Sequence, residues 1–85
     1  RQFEAEAFIL HHPTTIRVGY EAIFHIHSIK EACRISWASK DPLRTGDKAI
    51  IRVETVFHPI FVREGDQFLF REGRSRGIGS ITRVY

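Results

Sequence analysis

The chain has 85 residues, 42% of them apolar and 27% charged, a balance that excludes a disordered chain. No apolar run nears the roughly 20 residues a transmembrane helix needs. The net charge is +3, and ten of the 13 basic residues are Arg, whose planar two-pronged guanidinium suits phosphate or carboxylate, so an anionic partner is expected.

Ile and Val number 16 against three Leu, and five Thr raise the β-branched total to 21. That composition lowers helix propensity and suits half-buried strands. Six segments show period-two alternation or short apolar runs bounded by turn residues. In Phe3 to Leu10, Phe3, Ala5, Ala7 and Ile9 share a face, with Glu4 and Glu6 on the other. Tyr20 to Ser28 sets Ala22, Phe24 and Ile26 on one side, and Glu31 to Trp37 alternates Cys33, Ile35 and Trp37 with Arg34 and Ser36. Lys48 to Phe57 groups Ala49, Ile51, Val53, Thr55 and Phe57. Gln67 to Glu72 and Ile78 to Tyr85 complete the set, with Gly73, Gly77 and Gly79 expected to bracket the final hairpin. Asp41-Pro42, Thr45-Gly46-Asp47 and Arg63-Glu64-Gly65-Asp66 mark turns. Six short strands whose edges need protection predict an all-β fold, a closed antiparallel barrel in place of an open sheet.

The chain carries no phosphate loop, His-Glu-x-x-His or Cys-x-x-Cys element, so neither a catalytic nor a metal site is expected. Gly77-Ile78-Gly79 precedes a strand, which is the wrong context for a dinucleotide loop. His11 and His12 are neighbours that would point to opposite faces of a strand. Cys33 has no partner for an internal disulfide and reads as an inert core thiol in a reducing, cytoplasmic setting. The absence of Met and the start at Arg1 lead us to expect a piece of a longer protein.

Two stretches carry possible binding chemistry. From Phe68 to Gly79 an apolar strand runs into Arg71, Arg74 and Arg76 alternating with small residues. Such residues serve equally as a solvated turn, a contact to a nucleic-acid backbone, or a protein interface. The loop from His11 to Gly19 holds two imidazoles, two Thr hydroxyls and Arg17, all able to contact phosphate and sugar oxygens.

Ordered landmarks span nearly the whole chain: Phe3-Glu4-Ala5-Glu6, His12-Pro13-Thr14-Thr15-Ile16, Gly19-Tyr20, Leu43-Arg44-Thr45-Gly46-Asp47-Lys48, His58-Pro59, and Phe70-Arg71-Glu72-Gly73 before Gly77-Ile78-Gly79 and Thr82-Arg83. In this order they resemble the third domain of elongation factor Tu-type translational GTPases. The Arg-Glu-Gly and His-Pro-Thr-Thr-Ile elements look nearest to the GTP-binding protein one and two branch. The resemblance implies a six-stranded antiparallel β-barrel, the C-terminal part of a larger GTP-binding protein. This fragment would then hold no cofactor and no enzyme activity of its own. GTP and Mg would sit in the parent's missing GTPase domain.

The implied partners are that GTPase domain and a second barrel of the same chain, the T-stem backbone of tRNA or another structured RNA, and the ribosome, with no membrane. By matching positions, the implied RNA-binding residues are Arg71, Glu72, Gly73 and His58, with His12 and Thr14 in the first loop; Arg74 and Arg76 supply further charge. Two departures stand out: the bacterial pattern has an extra Gly after Arg-Glu-Gly where this chain goes straight to Arg74, and positions that are polar in the family's RNA-facing strands are Ile23 and Ala32 here. A module that docks on the GTPase domain, or on an exchange or RNA-decay factor, is the competing expectation.

Overall fold

The computed structural model describes residues 2–11 and 15–85. Six strands form: β1 (Gln2–His11), β2 (Glu21–Ile26), β3 (Ile29–Ala38), β4 (Lys48–Thr55), β5 (Gln67–Glu72) and β6 (Ser75–Val84). They close into a barrel in the order β1-β4-β3-β2-β5-β6, every neighbouring pair antiparallel. Closure leaves no unpaired edge, which is what a chain of short β-branched strands needs.

Alternation is realised on four strands as expected. Phe3, Ala5, Ala7 and Ile9 of β1, Ala22, Phe24 and Ile26 of β2, Ala49, Ile51 and Val53 of β4, and Phe68 and Phe70 of β5 face the interior. Four Phe rings meet there: Phe24 lies 5.2 Å from Phe68 and 5.3 Å from Phe70, and Phe3 contacts Phe24 and Phe68 edge-on, arrangements that suit the ring quadrupole. Ile16 and Leu43, outside the strands, are joined by two backbone hydrogen bonds of 2.7 Å and are also buried.

Three expectations are corrected. The register of β3 on β4 shifts between Ile35 and Trp37. This one-residue bulge inverts the facing of the residues beyond it, so Trp37 is 46% exposed instead of lining the core. Strand β4 ends at Thr55, leaving Phe57 73% exposed. Strand β6 begins at Ser75, three residues before the expected start, so Gly77 and Gly79 lie within it and only Gly73 occupies the turn.

Those two strand glycines point inward. A Cβ at Gly77 would lie 2.5 Å from Phe70 Cε2 and 2.9 Å from the Phe8 carbonyl oxygen; at Gly79 it would lie 2.5 Å from Phe68 Cζ and 2.5 Å from the Glu6 carbonyl oxygen. Each glycine is also the cross-strand partner of the ring that covers it, Phe70 opposite Gly77 and Phe68 opposite Gly79. Their smallness makes room for aromatic side chains in a narrow barrel.

Candidate nucleic-acid interface

Strands β5 and β6 join through the two-residue turn Gly73-Arg74, flanked by the pair Glu72 and Ser75. Gly73 has φ +59° and Arg74 does not share a positive value, the pattern of a type II′ hairpin, which asks for Gly first. Beneath the turn, Ser75 is buried and Tyr20 packs edge-on against Phe70 at 6.2 Å. Burial raises the Tyr20 phenol above its usual value, opposed by a hydrogen bond with Ser75, and the Glu72 carboxylate adds to the rise. Glu72 therefore sits close enough to Tyr20 to be felt by it. These contacts hold the hairpin base on the barrel.

Because β6 starts early, Arg71 and Arg76 belong to strands and not to the loop. They are direct cross-strand partners, and both point outward. Register extends the row in both directions: His11 stands opposite Arg76, Ile23 opposite Arg71, and Ala32 opposite Ile23. At about 4.8 Å per strand, the outer wall thus carries His11, Arg76, Arg71, Ile23 and Ala32 on successive strands. Among the described residues no carboxylate forms an ion pair with Arg71, Arg74 or Arg76. By contrast, Arg34 beside them is held by Glu21 at 2.9 Å and Glu54 at 3.6 Å.

An open groove of about 600 Å³ runs along this wall, floored by Ile23 and Ala32 and bordered by Glu21, His25, Arg71 and Glu72. Its edge is charged and its floor lacks hydrogen-bonding side chains. Among the described residues Arg71 is the one guanidinium of this lining, set among the carboxylates of Glu21 and Glu72; it can hold an anion there while apolar sugar edges pack on the floor.

The remaining expected residues fall elsewhere. His58 follows β4, and its Nδ1 lies 3.1 Å from Glu31 Oε2. The Val56 N–H bonds to the Ala32 carbonyl, so His58 is two residues past the far end of the row, three strands from Arg71. His12 and Thr14 lie outside the described residues. Sequence reasoning counted His11 only among the groups of the first loop; the register that sets it opposite Arg76 escaped it, because pairing between β1 and β6 joins chain segments more than 60 residues apart and leaves no local signal.

Among the described residues no group of three or more His, Cys, Asp or Glu could hold a metal ion. Gly77 and Gly79, whose space is taken by rings, cannot cradle a phosphate. No helix among the described residues is long and apolar enough to cross a membrane.

Comparison with known proteins gives a consistent result. The family model described as Elongation factor Tu C-terminal domain matches residues 1–85. GTP-binding protein 1 of Xenopus laevis is 43% identical over 83 residues, covering 98% of this chain and 13% of the relative. GTP-binding protein 2 of Mus musculus is 40% identical over 83 residues, covering 96% and 14%. Elongation factor 1-alpha of Aeropyrum pernix is 33% identical over 104 residues, covering 98% and 24%. The chain spans between 13% and 24% of the length of these relatives. With its closed six-stranded antiparallel barrel and this match along all 85 residues, the chain belongs to the elongation factor Tu C-terminal domain family.

Proposed function

We propose that this barrel is the C-terminal arm of a translational GTPase and that its Arg71–Arg76 wall leans on the backbone of a structured RNA, the T-stem of aminoacyl-tRNA. The observation that carries the reading is the direct opposition of Arg71 and Arg76 without carboxylate partners. Like charges facing each other across a ladder cost stability, a cost that an anionic ligand removes. An A-form duplex has a narrow major groove closed to side chains, so it is read through phosphates and 2′-hydroxyls. Arg71, Arg74, Arg76 and His11 supply charge or hydrogen bonds for that purpose. Main-chain groups at Gly73 add close approach, and Glu72 accepts from a hydroxyl. Ile23 and Ala32 offer no hydrogen bond, so the grip follows backbone shape and is indifferent to T-stem sequence. GTP and Mg2+ are bound by another domain of the cytoplasmic parent, and GTP hydrolysis belongs there.

A second face supports packing on that GTPase domain. One row below the arginines, Phe8, Ile78 and Leu69 are cross-strand neighbours on β1, β6 and β5, all exposed. Three large apolar side chains in register form a patch suited to a protein surface. If this patch alone matters, the chain is a docking module and the arginines pair with carboxylates of the partner.

Titration with an RNA duplex at increasing salt separates the two. The RNA reading expects log affinity to fall steeply with log salt and each of Arg71→Ala and Arg76→Ala to flatten that slope by about one. RNA binding that ignores both substitutions would eliminate it and favour the docking module.

A further inference from the structure

On the outer face of β2 and β3, Ile23 stands opposite Ala32, and two residues before Ile23, Glu21 stands opposite Arg34. Side chains two apart on a strand share a face, so the Glu21–Arg34 pair adjoins the apolar floor of the groove, and Glu21 belongs to its lining. The carboxylate is held by one oxygen. Arg34 donates from Nε at 3.1 Å and from Nη2 at 2.9 Å, and both bonds end on Glu21 Oε2. Its third nitrogen, Nη1, lies 3.6 Å from Glu54 Oε1. Glu21 Oε1 therefore accepts no hydrogen bond from a described residue, and the side chain is 49% exposed. One guanidinium set between two carboxylates leaves this bank of the groove net negative.

A fixed carboxylate in a groove whose cation is Arg71 repels a phosphodiester, unless the same ligand brings a donor to it. Ribose brings one. With the phosphate on Arg71 and the apolar edge of the sugar on Ile23 and Ala32, the 2′-hydroxyl, which A-form RNA displays in its shallow minor groove, can donate to Glu21 Oε1. A sugar without that hydroxyl brings the phosphate charge alone and leaves the carboxylate desolvated and unmet, which costs more than a bond that was never offered. Glu72 also lines the groove, but among the described residues it forms no ion pair. Glu21 alone of the two is oriented in advance, so less freedom is lost when it accepts.

Resting on the RNA reading above, we infer that Glu21, oriented by Arg34, is the specificity-determining residue with which this groove requires a ribose 2′-hydroxyl and rejects sugars that lack it. The carboxylate works by penalising the wrong ligand as much as by binding the right one. A cationic peptide, which would also seek Glu21, fits less well, because Arg71 stands in the same lining and would repel it.

Titration of the chain at low salt with an RNA duplex, and with the same duplex carrying 2′-fluoro in every sugar, tests it, since fluorine keeps the A-form and removes the donor. Wild type should bind the hydroxyl duplex about tenfold or more tightly than the fluoro duplex, the loss expected where a charged acceptor goes unmet. Glu21→Ala should bind the two alike, because affinity for the fluoro duplex rises once the carboxylate is gone; a folding defect would lower both. The change is made on an exposed side chain, and Arg34 keeps Glu54. Arg34→Ala, which leaves the carboxylate but not its orientation, should narrow the preference. With either duplex, amide shifts should centre on Ile23 and Ala32. The inference is overturned by equal binding in wild type, by a preference that survives Glu21→Ala, by an Arg34→Ala variant as selective as wild type, or by tetralysine moving the same amides more strongly than RNA. Those results leave the arginine wall standing as long as the RNA duplex binds; binding of neither duplex would bring down the RNA reading and this inference together.

Discussion

Gly77 stands directly opposite Phe70 across the β5–β6 ladder, and the Phe70 ring fills the space that a side chain on residue 77 would require. The barrel is narrow enough that one wall position must be empty for the facing aromatic to fit. Gly77→Ala should therefore destabilise the fold by about 1–3 kcal/mol, the usual range for overpacking. Adding Phe70→Leu should recover part of the loss. It should not recover all of it, because the Phe8 carbonyl oxygen at 2.9 Å also blocks a Cβ. Urea unfolding of the single and double variants measures the coupling; fully additive losses would contradict it.

Arg76→Ala should separate stability from binding. Removing one of two like charges that face each other in the ladder should raise stability by roughly 0.2–1 kcal/mol, and the gain should shrink at high salt as the repulsion is screened. RNA affinity should fall in the same variant. A loss of stability would mean that Arg76 holds the fold together and is not kept for a ligand.

Two turn aspartates set the acid limb of the stability profile. Asp47 is held below the usual carboxylate range first by the Arg44 N–H at 2.8 Å and then by Lys40 at 3.0 Å. Asp66 is lowered first by the Arg63 N–H and then by His27 at 3.1 Å. A carboxyl whose folded value is depressed stabilises fully above its unfolded value, about 3.9, and loses that contribution as pH falls through the folded value. Wild type should therefore melt above Asp47→Asn and Asp66→Asn at neutral pH, and the gap should close in strong acid. A gap independent of pH would point to shape instead of charge.

Cys33 lies within the barrel, and burial pushes its thiol up to about 12, with the Glu31 carboxylate adding to the rise. Only the thiolate reacts. A thiol reagent at pH 8 should leave the native chain unlabelled and modify it promptly in denaturant; labelling of native protein at the rate of an exposed cysteine would refute this placement.

Much of the barrel could be read along the chain. Phe3, Ala5, Ala7 and Ile9 announce an inward face because side chains alternate at every residue of a strand, and β-branched richness separates that pattern from a helix. The order of landmarks from Phe3-Glu4 to Arg71-Glu72-Gly73 carried the family. Where an inserted residue breaks the alternation, the reading failed: Trp37 faces outward because the bulge after Ile35 reverses the pleat, and nothing near residue 36 marks it. Gly77 and Gly79 misled in the same way. A glycine in a turn and a glycine beneath a ring look identical until the facing strand is known.

The candidate site divides along the same line. Composition and spacing alone supplied the arginines and the closed β-barrel, and with the arginines the expectation of an anionic partner, since these depend on residue type and local period. Only the closed structure decided that Arg71 meets Arg76, that His11 and Ile23 extend their row, and that His58 stands apart beside Glu31. Those neighbours come from different strands, and the hydrogen-bond register that pairs distant segments is set by how the whole core packs.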